Sequence, residues 1–249
     1  MNKQSDLGEK VVMLTGGKGF LGTYFTDALK DAGAKVIVTD VVEGADEVMD
    51  VTDQKSVDDI FAKITKEHGQ IDVVINNAAI DPKFDGDATK NEKSFVNYPE
   101  EAMQASIDVN LLGTWRVCKA AIKQMQKQGH GNVVNIASFY GITPPRQEIY
   151  PQDTEKPVDY PMTKAAIVML TRHIASQFGR EGIRCNALAP GGVLNKHDED
   201  FQKKYAAHTS LGRMSDPEEV TDTLLFLVSD ASRGMTGEVV AVDGGWRSR

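Results

Sequence analysis

Six apolar, β-branched runs recur along the chain: KVVML at 10, KVIVTD at 35, IDVVI at 71, NVVNIA at 132, IRCNALA at 183 and EVVAVD at 238. Each reads as a strand buried on both faces. Between them lie stretches of helical periodicity at 20–31, 54–67, 100–127, 161–180 and 216–229. Strands that alternate with helices need right-handed crossovers, so the expected class is α/β: a doubly wound parallel sheet of about seven strands with helices on both faces. The seventh strand is the short EVMDV segment after Ala45. Nine residues separate Asp40 from Asp50, too few for a crossover that contains a full helix.

The 249 residues, 41% hydrophobic and 26% charged, are enough for one sizeable core, and a single domain over 1–249 is expected. A formal net charge of -8 argues against nucleic acid and anionic membrane as partners, because both require a cationic footprint. A small-molecule substrate is the better expectation. Cys118 and Cys185 lie in apolar periodic segments and cannot form a disulfide framework, which fits a reducing compartment. The opening MNKQSDLGEK is polar, and no run approaches the roughly 20 apolar residues of a membrane span, so a cytoplasmic protein is expected. His68, His130, His173, His197 and His208 show no metal-ligand spacing, and no metal is expected.

Directly after the first strand comes TGGKGFLG at 15–22. Gly17, Gly19 and Gly22 satisfy G-x-G-x-x-G, and a second register starts at Gly16. Lacking Cβ atoms, such a turn lets the backbone approach a pyrophosphate, while the following helix presents free N–H groups and its positive end. A ligand-free tight turn is the plain alternative. Asp40 closes the second strand, where a carboxylate can accept from both adenosine ribose hydroxyls and repel a 2′-phosphate, favouring NAD over NADP. The same Asp could simply cap a turn, and Lys18 could serve either cofactor.

At 160 the chain reads YPMTKAAIVML, which places Tyr160 and Lys164 four residues apart on one helix face. A phenol is a poor base at neutral pH, but an adjacent ammonium and a cationic nicotinamide favour the phenolate. Tyr160 could then exchange a proton with an alcohol or carbonyl.

With these residues in order, the sequence resembles the short-chain dehydrogenase/reductase family, single-domain branch, over nearly its whole length. The matches are the glycine turn, Asp40, DV at 50, NNAA at 76, Asn110 in DVNLLGTW, Ser138 in NVVNIASFYG, YPMTK, NALAPGG at 186 and VDGGW at 242. The resemblance implies a Rossmann-like fold and a catalytic tetrad of Asn110, Ser138, Tyr160 and Lys164. In it Tyr160 is the acid/base and Ser138 orients the substrate oxygen. Lys164 binds the nicotinamide ribose and lowers the Tyr160 pKa, and Asn110 holds a water linking Lys164 to solvent. It also implies cofactor contacts from Gly16, Lys18, Gly19, Phe20, Leu21, Gly22 and Asp40. Asp50 and Val51 would meet adenine, Asn77, Ala78 and Ala79 the ribose side, and Pro190, Gly191, Val193 and Asn195 the nicotinamide. For Asp50, Asn77 and the PGG turn, a purely local structural role is the alternative. A homotetramer or homodimer is implied as well, with 100–127 and 161–180 apolar enough to bury a second face.

The implied activity is NAD(P)-dependent interconversion of a secondary alcohol and a ketone by hydride transfer. Two rivals use the same fold: a sugar epimerase or dehydratase that keeps its NAD, and a nucleotide-binding regulator without chemistry. The intact tetrad argues against the regulator. Phe20, Ala79 and Asn195 depart from the family's commonest residues. Ser138 and Tyr160 are 22 positions apart, longer than is usual in the family, and 80–98 also looks lengthened. Substrate loops are expected at about 80–98, 139–159 and 192–214, forming a polar rim with Lys83, Arg146, Lys156, Lys196 and His197. Such a rim suits a sugar or sugar phosphate, although the charges could be merely solvated. The loops, LGRM and VDGGW together resemble the subgroup of flagellin-modification and nonulosonate-pathway dehydrogenases.

Overall fold

The computed structural model describes residues 6–81, 94–151 and 155–249. Its strands are β1 (Val11–Thr15), β2 (Lys35–Asp40), β3 (Glu47–Val48), β4 (Val73–Asn76), β5 (Gly131–Ile136), β6 (Ile183–Pro190) and β7 (Val239–Val242). They form one seven-stranded sheet in the order β3-β2-β1-β4-β5-β6-β7. Every pairing is parallel. The expected Rossmann-like, doubly wound architecture is what the chain adopts. β1 and β4 are buried at every position, because helices cover both sheet faces.

The helices are α1 (Phe20–Asp31), α2 (Gln54–His68), α3 (Glu100–Ser106), α4 (Thr114–Gln128), α5 (Asp159–Phe178), α6 (Glu199–Ala206) and α7 (Pro217–Val228). One core layer joins Val57, Phe61 and Ile64 of α2, Val117 and Ala121 of α4 and Ile174 of α5 to Met13, Val74 and Val133 of the sheet. The opposite layer joins Phe25 and Leu29 of α1 and Val220, Leu224 and Leu227 of α7 to Val12, Ile75 and Val134. Each such side chain removed from water contributes about 2 kcal/mol before the entropy of ordering is subtracted. Cys118 and Cys185 are buried and unlinked in the first layer.

Between β2 and β3 there is no helix; Asp46 instead accepts the Val38 N–H at 2.9 Å. Two elements differ from the sequence expectation. The stretch read as one helix over 100–127 is interrupted by a π-helical segment, Ile107–Gly113. Helix α6 lies within 192–214, where the sequence predicts a loop; Asp198 caps it by accepting the Phe201 N–H at 2.8 Å.

Strand order reverses between β1 and β4, and the crevice beyond their carboxyl ends is where such sheets take ligands.

Candidate active site

The glycine turn leaves β1 and folds back on itself. Gly16 has φ +63°, and a Cβ there would lie 2.6 Å from the Ala78 Cα. A Cβ at Gly22 would lie 2.4 Å from the Gly16 carbonyl oxygen. Glycine at both positions is therefore what lets α1 start directly over the turn and against the end of β4. Gly19 is the N-cap of α1 and supplies no side-chain cap to the N–H groups of the first turn. The uncovered N–H groups and positive helix end fit a dinucleotide pyrophosphate.

Asp40 takes the Lys18 N–H at 3.0 Å on one carboxylate oxygen and the Val41 N–H at 2.8 Å on the other. It thus pins the turn to the end of β2, and each oxygen keeps acceptor capacity for a ribose hydroxyl. Asn77 donates its amide to the Gly16 carbonyl at 2.8 Å, and Thr15 Oγ1 accepts the N–H groups of Asn77 and Ala78. Asp50 accepts from the Thr52 N–H at 2.8 Å and its hydroxyl at 2.7 Å. Local roles are thus occupied at Asp40, Asp50 and Asn77. Val51 is buried in the core against Gly113. Phe20 is exposed and packs edge-on against Tyr24, Leu21 packs on the α1 side of the core, and Ala79 is exposed.

Ser138 lies two residues beyond β5, and Tyr160 and Lys164 lie on the first turns of α5. The Ser138 hydroxyl is hydrogen-bonded to the Tyr160 oxygen, which favours the phenolate. Burial nevertheless pushes the Tyr160 hydroxyl well above its ordinary value, helped by the Asp81 carboxylate. The Lys164 ammonium lies 5.6 Å from the Tyr160 ring centre and donates to the Ile136 carbonyl at 2.7 Å. Burial lowers its pKa from 10.5 to about 8, against an opposing pull from Asp81. The π-helical turn carries Asn110, whose amide exchanges two bonds with the backbone of Ile80, at 2.8 and 2.9 Å, and reaches Thr163 at 3.3 Å. Such turns recur at functional sites. Here the turn locks the end of β4 to α5 beside Tyr160.

The four residues therefore lie together, Ser138 and Lys164 against Tyr160 and Asn110 against Thr163 of the same helix. The family model described as enoyl-(acyl carrier protein) reductase matches residues 17–247. The 7alpha-hydroxysteroid dehydrogenase of Bacteroides fragilis is 32% identical, across 95% of this chain and 93% of that protein. The chain belongs to the short-chain dehydrogenase/reductase family. Among solved structures, a short-chain dehydrogenase from Leptospira borgpetersenii with bound NAD+ superposes with a TM-score of 0.88 at 28% identity, covering 99% of this chain and 96% of that one. A gluconate 5-dehydrogenase from Burkholderia cenocepacia in complex with NADP and tartrate gives 0.86 at 26%, covering 99% and 98%. This short-chain dehydrogenase/reductase is thus an NAD(P)-dependent oxidoreductase that interconverts alcohol and ketone. Its nicotinamide cofactor, when bound, supplies the hydride acceptor or donor, and the chain's own residues supply position and the proton.

Around Tyr160 the long loops of this dehydrogenase are more aromatic than their charges imply. Phe139, Tyr140, Ile149, Tyr205, Met214 and Trp246 form a buried cluster against Tyr150, Tyr160 and Phe201. Tyr140 and Tyr150 share a hydroxyl–hydroxyl bond of 2.8 Å. Pro190 ends β6, Gly191 packs against the Asp243 backbone, and the Tyr205 hydroxyl accepts the Gly192 N–H at 2.6 Å. Val193 bridges to Ser215, and the Asn195 N–H is tied to His197 Nδ1 at 3.1 Å. Sequence reasoning missed Tyr205. Its signal was the spacing of Phe201 and Tyr205, one helical turn apart behind a capping Asp198.

The expected polar rim is corrected in part. Lys156 is only 8% exposed and lies inside the site rather than on its edge. Arg146 rests over Trp246, 5.7 Å from the ring centre, and donates to the Arg249 carbonyl. His197 stacks on Phe201, and burial lowers its pKa. Lys196 is exposed, and Lys83 lies outside the described residues.

Proposed function

We propose that this enzyme interconverts a secondary alcohol and a ketone on a hydroxylated, anionic substrate, a sugar or sugar phosphate, with NAD as its preferred cofactor. Tyr160 exchanges the proton with the substrate oxygen, Ser138 orients that oxygen, and Lys164 holds the nicotinamide ribose and favours the phenolate. Asn110 supports the water that connects Lys164 to solvent. Gly16, Lys18, Gly19, Phe20, Leu21 and Gly22 hold the pyrophosphate. Asp40 holds the adenosine ribose, Asp50 and Val51 the adenine, and Asn77, Ala78 and Ala79 the neighbouring ribose. Pro190, Gly191, Val193 and Asn195 frame the nicotinamide. The observation carrying this reading is the convergence of Ser138 and Lys164 on Tyr160, in a chain whose first helix starts uncapped behind a glycine turn.

The testing experiment is a screen for NADH release over sugars, sugar phosphates and polyols, run in parallel with NADP. NAD should support at least tenfold higher kcat/KM, because a 2′-phosphate would face the Asp40 carboxylate. Asp40→Ser should move the NADP/NAD ratio of kcat/KM upward by about 10- to 100-fold. Equal use of both cofactors by the wild-type enzyme would defeat the assignment of Asp40.

The same reading includes a homotetramer or homodimer joined through α4 and α5, in the cytoplasm. Trp115, Met162 and Met169 are exposed on these helices, the last at 61%, and Ile122 and Leu170 line a groove between them. Among the described residues no helix is long and apolar enough to cross a membrane. Sedimentation equilibrium should return two or four times the 27.2 kDa chain mass; a monomer at micromolar concentration would refute the assembly.

A further inference from the structure

Lys156 closes the lengthened segment between β5 and α5, and its side chain is 7% exposed. Lysine is almost never buried to this degree unless it is paired. Its ammonium sits over the ring of Tyr160, 4.4 Å from the centre, and its partner is the carboxylate of Asp81. Gln147 Oε1 accepts the Lys156 N–H at 2.8 Å and fixes the backbone that presents the side chain. The two partners are unequally placed, for the Asp81 side chain is 49% exposed. A buried cation is therefore met by an anion that reaches it from the solvent side. That anion acts electrostatically on Tyr140, Tyr150, Tyr160 and Lys164 together, which puts it in the mouth of the catalytic site.

We propose that Lys156 is the anion-binding residue of the substrate site, and that the Asp81 carboxylate holds, in the free enzyme, the place taken by a carboxylate or phosphate of the substrate. The assignment rests on Tyr160 being the acid/base. Exchanging one oxyanion for another keeps the ammonium paired, so the buried charge is never left alone, and Asp81 returns to water. A neutral polyol offers no such exchange. The other described cations near the site are engaged differently. Lys164 is held by the Ile136 carbonyl, Arg146 lies over Trp246, and His197 stacks on Phe201. On a chain of net charge -8, recognition of an anion depends on such a local cation. The occupant is a hydroxylated acid or its phosphate ester, with the reacting alcohol at Tyr160 and the charge at Lys156.

The test uses three compounds of one carbon skeleton, glucitol, gluconate and glucitol 6-phosphate, with wild type, Lys156→Gln and Asp81→Asn. Lys156→Gln should raise KM for the charged compounds by about 10- to 100-fold, beyond any change seen with glucitol. Asp81→Asn should act in the opposite direction, lowering KM several-fold, because it removes the competing carboxylate. A tie between loops that serves only structure would make both variants fall together, on charged and neutral compounds alike, and that result would overturn the proposal. Calorimetric titration of gluconate and glucitol 6-phosphate into NADH-loaded Tyr160→Phe protein, with and without the second substitution, reads binding where no turnover occurs. Opposite-signed shifts there uphold Lys156 even if no alcohol is oxidised and the functional reading falls. Binding by carboxylate alone or by phosphate alone names the substrate's charged group. If neither anion binds, or if Lys156→Gln binds as tightly as its parent, Lys156 is not the anchor.

Discussion

Tyr160→Phe should lower kcat by about 10²- to 10⁴-fold, the usual contribution of a positioned proton donor or acceptor, while leaving NADH affinity within about twofold. The change removes one oxygen and nothing else. The ring stays in the aromatic cluster and keeps the ammonium of Lys156 over its face. The hydroxyl's partner in the protein is Ser138, whose own oxygen also accepts the Tyr140 N–H at 3.2 Å, so Ser138 is not orphaned by the substitution. Fluorescence titration with NADH separates binding from turnover, and steady-state rates on the best substrate of the screen give kcat. Activity within tenfold of wild type would exclude Tyr160 as the acid/base. The pH profile adds a sign. Burial and Asp81 hold the hydroxyl above its ordinary value in the free protein. Reduction of a ketone, which needs the protonated phenol, should therefore persist to alkaline pH, whereas alcohol oxidation should rise with pH.

The strands were legible because a parallel sheet covered on both faces writes itself as near-continuous apolar runs, and KVIVTD at 35 became β2 without change of boundary. The crossover between β2 and β3 was legible from arithmetic alone. Other features had no such signature. The π-helical turn at Ile107–Gly113 alters which carbonyl meets which N–H over only seven residues, too few for a side-chain period of its own to register in the sequence. Half of helix α6 is charged, with Tyr205 its one buried side chain, so its apolar stripe is too thin to outweigh the acidic and basic residues around it. In the site, Asn110, Ser138, Tyr160 and Lys164 could be singled out because the motifs that carry them, DVNLLGTW, NVVNIASFYG and YPMTK, resemble those of a known family in the same order. Lys156 was not. A lysine in a polar loop reads as solvated, and only the fold shows that Tyr160 and Asp81 close around it. Sequence shows that a charge is present, but the packing of three separate segments decides whether water reaches it.

Lys164→Met should make the protein more stable at neutral pH while abolishing efficient turnover. Lys164 is 4% exposed, and its folded-state pKa of about 8 lies below the unfolded value of 10.5. Below pH 8 both states are protonated, and the native state carries the whole cost of holding an ammonium away from water. Between pH 8 and 10.5 the unfolded chain binds more protons than the native one, so wild-type stability rises with pH across that window. The depression corresponds to about 3 kcal/mol, since each pH unit is worth about 1.4 kcal/mol. Methionine matches the length of the lysine stem without the charge, so the variant should gain up to about 3 kcal/mol at pH 7. The lost bond to the Ile136 carbonyl, worth about 1–3 kcal/mol, reduces that gain. Chemical denaturation at pH 7 and pH 10 measures both. The difference between variant and wild type should shrink at the higher pH, because wild type has by then released the proton that penalised it. A variant less stable than wild type at pH 7, with the gap unchanged at pH 10, would mean that the ammonium is well paired and not strained by burial. The expected result instead would place Lys164 among residues that a fold retains at the expense of its own stability, in keeping with the role proposed for it beside Tyr160.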